Sequence, residues 1–296
     1  MLKNLPFNNP ILTASGTFGY AREMSGVFEI SRLGGIIPKT VTLFPRAGNP
    51  PPRTFETASG LLNSIGLDND GIDDFIDAKL PYLRTIGTKI IASVAVKSSD
   101  ECLIMGEKLQ TAEGIDAIEL NVSCPNVSGG VDFAGDPKLC ERVVSSFCRV
   151  LALPLFVKLS PNFFNIGEVA KAAESGGASG ISAVNTCLGL AVDWRRRRPR
   201  LGNGLGGLSG PAIKPIALRC VHQVFKAVKI PVIGIGGIET IDDAMEFFIA
   251  GASAIQIGTA NFFNPKAATK ILDELPIALA ELKAKSITEI IGTLDI

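Results

Sequence analysis

The chain is 296 residues long, 46% hydrophobic and 20% charged, with 29 basic against 29 acidic side chains. That size and apolar content suit one large α/β domain or two small ones, and a net formal charge of zero removes the electrostatic case for a nucleic-acid or membrane-surface partner. Six cysteines, at 102, 124, 140, 148, 187 and 220, include no Cys-x-x-Cys pair, which speaks against a disulfide framework, a cysteine-ligated iron–sulfur cluster or a metal site in this chain.

In chain order, Met1-Leu2-Lys3-Asn4-Leu5-Pro6 lacks the apolar core of a signal peptide, and no later apolar run is long enough to span a bilayer, so cytoplasm is the expected compartment. Eight short β-type runs follow: Ile11–Ala14, Gly35–Lys39, Ile90–Ala95, Ala117–Asn121, Leu155–Lys158, Gly180–Val184, Val232–Gly236 and Ala254–Gly258. Most are nearly continuous apolar segments, as expected of parallel strands buried on both faces. Amphipathic stretches lie between them, among them Asp136–Leu151, Ile166–Ser175, Lys214–Val228 and Ile241–Ala250. Asp136 followed by Pro137 reads as an N-cap with proline at the first helical position, and Thr240 reads as the cap of the Ile241 helix. Eight β–α repeats without a composition break predict an α/β protein with a (β/α)8 TIM barrel, one domain spanning 1–296; an open doubly wound sheet is the alternative.

Two connections are too long for a plain barrel. One runs from Thr40 to Gly71 after strand 2, the other from Asn185 to Gly210 after strand 6, and a further loop follows strand 4. All leave the C-terminal ends of strands, the catalytic face of such barrels, where long loops usually carry function.

Polar residues converge at the same face. Strand 1 ends in Ala14-Ser15-Gly16, strand 2 in Lys39-Thr40, strand 5 in Lys158, strand 6 in Asn185-Thr186, strand 7 in Gly236-Gly237 and strand 8 in Gly258-Thr259. Strand 4 leads into Asn121-Val122-Ser123-Cys124-Pro125-Asn126, which places a cysteine between two asparagines just past a strand end. On these residues alone Cys124 is either a small buried cysteine near a turn or a thiol able to move a proton or attack an electrophile. Lysine is rarely buried without a partner, so two strand-end lysines argue for an anionic ligand. The glycines after strands 7 and 8 suit a phosphate, and Gly207-Leu208-Ser209-Gly210-Pro211 could present further N–H groups at the start of the sixth helix.

Nearly end to end, the chain resembles class 1 dihydroorotate dehydrogenases, the flavin enzymes of pyrimidine synthesis. The resemblance is carried by Ala14-Ser15-Gly16, Lys39-Thr40, Gly48-Asn49-Pro50, Glu56 to Gly60, Asn63 to Leu67, the Cys124 hexapeptide, Val157 to Asn162, Gly206 to Pro215, Gly236-Gly237 and Gly258 to Phe262. Class 2 members use serine where this chain has Cys124. Within class 1, Glu56 to Leu67, Leu159 to Asn162 and Gly258 to Phe262 read closer to the 1B catalytic subunit than to the fumarate-using 1A type.

The resemblance implies FMN at the barrel mouth, held at Ser15, Lys39, Thr40, Ser93, Asn121, Lys158, Val184, Gly210, Gly236, Gly237, Gly258 and Thr259. Relatives often carry asparagine at position 93, and serine has shorter reach. It implies dihydroorotate at Lys39, Asn63, Ser64, Ile65, Gly66, Leu67, Asn121, Asn126, Asn185 and Thr186. Oxidation to orotate removes a proton from C5 and a hydride from C6, so Cys124 is expected to take the proton and flavin N5 the hydride. A free thiol titrates at about 8.5, so activity should rise through mildly alkaline pH unless neighbours lower that value. Lys158 is expected near the N1/C2 end of the flavin, stabilising charge there.

A 1B reading implies a second protein, an electron-transfer subunit with FAD and a [2Fe–2S] cluster that reduces NAD⁺, in a heterotetramer of two catalytic and two electron-transfer subunits. The alternatives are a 1A-like homodimer using fumarate, a barrel oxidoreductase without flavin that uses a nucleophilic cysteine, and a non-catalytic ligand-binding barrel. His222, the only histidine, falls in the sixth helix and reads as structural, as do Cys102, Cys140, Cys148 and Cys220. The Arg195–Arg198 run reads as a solvated loop, with steering of an anionic substrate as the functional alternative.

Overall fold

A computed structural model describes residues 7–122 and 135–296. Its centre is a closed barrel of eight parallel strands: β1 (Ile11–Thr13), β2 (Gly35–Ile36), β3 (Lys89–Val94), β4 (Ala117–Asn121), β5 (Leu155–Leu159), β6 (Gly180–Ala183), β7 (Val232–Ile235) and β8 (Ala254–Ile257). Each strand pairs with the next in sequence, and β8 closes on β1 with Ile255 opposite Ile11. The expected barrel is therefore present. Strand ends differ from the apolar runs by at most three residues, not at all at β4 and most at β2, where Ile37 already donates its N–H to Thr13 Oγ1 at 3.1 Å instead of to a neighbouring strand.

Two apolar layers hold the barrel. Inside it, Leu12, Ile37, Ile91, Ala117, Phe156, Ile233 and Ala254 pack into one cluster, joined by Phe7. Outside it, a larger cluster fills the space between strands and helices. Burying each such aliphatic or aromatic side chain contributes about 1.5–3 kcal/mol. Helices Ile166–Ser175 and Ile241–Ala250 have the expected bounds. Asp136 caps Pro137–Cys148 by accepting from the N–H groups of Lys138 and Leu139, and Thr240 and Asp243 form a reciprocal capping box on the helix that follows β7. The first connection is a departure from the plain repeat: two short 3-10 turns, Arg22–Met24 and Ile30–Arg32, stand where an α-helix would. Among the described residues no helix is long and apolar enough to cross a membrane.

The two long connections are not independent loops. Thr54–Thr57 and Gly60–Asn63, after β2, form a hairpin, and Gly60–Asn63 pairs with Gly206–Ser209 from the connection after β6. Cys187–Gly189 adds the fourth strand of this antiparallel sheet. Gly207, Leu208 and Ser209 thus sit in a strand paired on both sides, so their backbone groups serve the sheet, and of the stretch 207–211 only Gly210 and Pro211 lie at the approach to the sixth helix. Gly210 and the turn Pro211–Ile213 lead into that helix, Lys214–Ala227. The loop expected after strand 4 lies outside the described residues.

Candidate active site

A cavity of about 530 Å³ opens at the C-terminal ends of the barrel strands, roofed on one side by the antiparallel sheet. Its size falls in the usual range of small-molecule sites, roughly 300–1,000 Å³. The structure brings eighteen of the expected site residues to its wall: Ser15, Lys39, Thr40, Asn63, Ser64, Ile65, Gly66, Leu67, Asn121, Lys158, Val184, Asn185, Thr186, Gly210, Gly236, Gly237, Gly258 and Thr259. Ser93 is not among them. It is 1% exposed and lies beneath Thr40, their hydroxyls 2.8 Å apart, so it supports a wall residue instead of forming the wall. Cys124 and Asn126 lie outside the described residues.

The floor is polar and ordered by hydrogen bonds. Lys158, 5% exposed at the end of β5, points its ammonium at Glu119 Oε1 (3.4 Å) and at Ser15 Oγ (3.4 Å). Beside it, Asn185 donates through Nδ2 to Asn121 Oδ1 at 3.3 Å, and its own Oδ1 accepts from the Thr186 N–H at 2.8 Å. Asn162 donates to the Thr186 carbonyl at 3.2 Å and accepts from the Leu188 N–H at 2.8 Å. These amides are thereby fixed as donor and acceptor pairs, which suits a planar heterocycle with amide edges.

At the rim, Lys39 stands 3.9 Å from Asp68, which also binds Arg53 at 2.9 Å. Lys158 therefore has a carboxylate beside it, and Lys39 shares one with Arg53. The argument from two strand-end lysines to an anion is thereby weakened at Lys158, which Glu119 faces, while the rim keeps two cations, Lys39 and Arg53, on the one carboxylate of Asp68. The glycine wall adds to the case for an anion. Gly236 and Gly237 both have positive φ, 128° and 74°, and a Cβ on Gly237 would stand 2.9 Å from the Gly210 carbonyl oxygen. Thr259 donates to Ser209 Oγ at 2.7 Å on the same wall. Backbone packed this closely around open space can present N–H groups to a phosphate. Glu239 lines this side too, where burial, with Asp243 adding to it, pushes its carboxyl up.

The dihydroorotate dehydrogenase family model matches residues 1–279. The chain belongs to that family. Among its relatives, "dihydroorotate dehydrogenase B (NAD(+)), catalytic subunit" of Desulforamulus reducens is 48% identical over 285 residues, 96% of this chain and 94% of the relative. Proteins of the same description from Maridesulfovibrio salexigens and Bacillus pumilus are 49% and 46% identical, covering 99% and 98% of this chain and 96% and 94% of theirs.

In this dihydroorotate dehydrogenase family member the site also includes residues that sequence reasoning passed over. Asn49 donates to Ser64 Oγ at 2.8 Å, and with Asp68 and Asn162 it lines the cavity. Asn49 and Asn162 lie within the motifs that carry the resemblance, so a signal for them was present. Glu119 had one as well: an acid in the middle of a buried strand calls for a partner as much as a strand-end lysine does. The glycine wall and the polar floor with its Lys158 ammonium fit a phosphorylated, planar, electron-accepting group such as FMN. A Cβ at Gly258 would meet nothing closer than Ala14 Cβ at 3.5 Å, which leaves the backbone there open to a ligand.

Proposed function

We propose that this chain is the catalytic subunit of an NAD⁺-linked dihydroorotate dehydrogenase, oxidising (S)-dihydroorotate to orotate in pyrimidine synthesis within one FMN-binding domain, 1–296. The observation that carries the reading is that one cavity joins a glycine wall suited to phosphate with a floor of Lys158, Asn121 and Asn185 suited to a flavin and a pyrimidine. FMN, when bound, supplies the acceptor for the C6 hydride. Its phosphate would lie against Gly210, Gly236, Gly237, Gly258 and Thr259.

The chain's own residues do the rest. Cys124 takes the C5 proton, and general bases of this kind contribute about 10²–10⁴-fold to rate. Asn63 to Leu67, Asn121, Asn126, Asn185 and Thr186 hold the pyrimidine in one orientation, and Lys39 supplies a cation at the rim. Lys158 stabilises negative charge developing over the floor. Electrons leave to a separate electron-transfer subunit carrying FAD and [2Fe–2S], in a heterotetramer of two catalytic and two electron-transfer subunits, and reach NAD⁺. The five described cysteines are free, in keeping with the cytoplasm as the compartment.

Anaerobic addition of dihydroorotate to the FMN-loaded chain tests the reading. Loss of the visible flavin absorbance is the expected result. An unbleached, fully loaded protein would refute the substrate assignment. Turnover with NAD⁺ only when the partner is present separates this reading from a fumarate-using homodimer.

A further inference from the structure

Above the apolar layer of the barrel interior sits a charged one. Glu119, wholly buried, occupies the middle of β4 two residues before Asn121 and on the same inward face. Its Oε1 meets Lys158 Nζ at 3.4 Å, and its Oε2 accepts from Ser182 Oγ at 2.8 Å and from Gln256 Nε2 at 2.5 Å. Lysine ammonium and amide nitrogen only donate, so both carboxylate oxygens act as acceptors. The four residues come from β4, β5, β6 and β8, and Lys158 and Ser182 are register partners. Glu119 thus ties the Lys158 ammonium to three other strands at the barrel centre.

Packing does not require a charge at this place. The layer immediately below is built from Leu12, Ile91, Phe156 and their neighbours alone. A buried ion pair is costly to desolvate and adds little net stability over apolar residues of the same volume. What it does provide is a fixed cation with a fixed counter-charge, one member of which reaches the cavity wall while the other does not.

We propose that Glu119 is a positioning residue that acts through Lys158. It holds the ammonium at the cavity floor and attenuates the positive charge presented to the bound cofactor, and so sets the cofactor's reduction potential. This rests on the flavin reading above. Taking up electrons adds negative charge to the cofactor, so removing the Glu119 carboxylate favours the reduced form. Removing a donor to that carboxylate instead concentrates its charge on Lys158 and disfavours it.

The experiment compares wild type, Glu119→Gln and Ser182→Ala, each prepared as apo-protein and reloaded with FMN. The readouts are the two-electron midpoint potential, FMN affinity by fluorescence, and the melting temperature of the apo-protein. Glu119→Gln should raise the reduced-to-oxidised ratio at the wild-type midpoint at least tenfold, a positive shift of about 30 mV. Ser182→Ala should shift it the other way by less. If Glu119→Gln does not fold, the sign in Ser182→Ala decides: a negative shift supports the inference and no shift overturns it. A melting temperature lowered in Glu119→Gln with an unmoved potential assigns Glu119 to packing and overturns it. Wild-type protein that takes up no FMN overturns the flavin reading and this inference together, whereas FMN bound equally by all three with equal potentials overturns this inference alone.

Discussion

Asn63 and Gly207 are register partners across an antiparallel pairing that joins two connections 144 residues apart in sequence, and the Asn63 amide also donates to the Gly207 carbonyl at 3.3 Å. Both line the cavity, so this pairing positions the side of the site proposed to hold the substrate. Gly207 is required by close approach: a Cβ there would stand 2.0 Å from Thr186 Oγ1 and 2.6 Å from Thr186 Cβ. Gly207→Ala should displace Thr186 and Asn63 together. Steady-state kinetics should show KM for dihydroorotate raised roughly tenfold, with about 1–3 kcal/mol of overpacking cost in a melting experiment. An unchanged KM would argue against the substrate role of this sheet.

Gly237 tests the phosphate wall separately. Its φ of 74° and the 2.8 Å approach of a hypothetical Cβ to Lys214 Cβ leave no room for alanine. A left-handed conformation costs a non-glycine residue about 1–2 kcal/mol before any clash is counted. Gly237→Ala should weaken FMN binding at least about tenfold, read by fluorescence titration of apo-protein, since each tenfold is about 1.4 kcal/mol. Dihydroorotate binding should change less.

Thiol labelling should single out Cys124. Burial pushes the Cys102 and Cys140 thiols up to about 12, and it raises those of Cys148, Cys187 and Cys220 as well. A raised value means less thiolate at any working pH, and the thiolate is the form that reacts. Iodoacetamide at pH 8 on the native protein should therefore leave Cys102 and Cys140 unmodified by mass spectrometry, with Cys124 labelled first and bound orotate slowing that labelling. Cys124→Ser should lower the rate of flavin bleaching at neutral pH by about 10²-fold or more.

Asp243 carries a pH-dependent share of stability. Burial alone would raise its carboxyl, but Lys214 at 2.6 Å and the N–H groups of Glu239 and Thr240 outweigh that and hold it below the usual carboxylate range. The native state then binds fewer protons than the unfolded chain at acid pH. Its contribution is complete above the ordinary value of about 3.9 and is lost as pH falls through the lower native value. Asp243→Ala should cost about 2 kcal/mol at pH 7, a few degrees of melting temperature. The gap from wild type should stay constant down to about pH 5 and close below about 4. A gap that widened on acidification would contradict this assignment.

Much of the barrel was legible because its signals are local. Apolar runs between turn residues marked all eight strands, and the Asp136 and Thr240 caps fixed two helix starts. Residues at the strand ends follow from the strands themselves, which is why Ser15, Lys158, Asn185 and Gly258 could be assigned to one face. Ser93 shows the limit of that logic: its place on a strand was clear, but whether it reached the cavity or stopped beneath Thr40 was a matter of depth.

The sequence by itself determined the eight-fold repeat, the polar strand ends and the family. Tertiary structure alone decided that Glu119 faces Lys158, that Lys39 shares Asp68 with Arg53, and that Gly60–Asn63 pairs with Gly206–Ser209. A parallel strand buried on both faces carries no alternation to say which side chains point inward. Pairings between segments more than a hundred residues apart depend on where the closed barrel puts their ends, which no local pattern records.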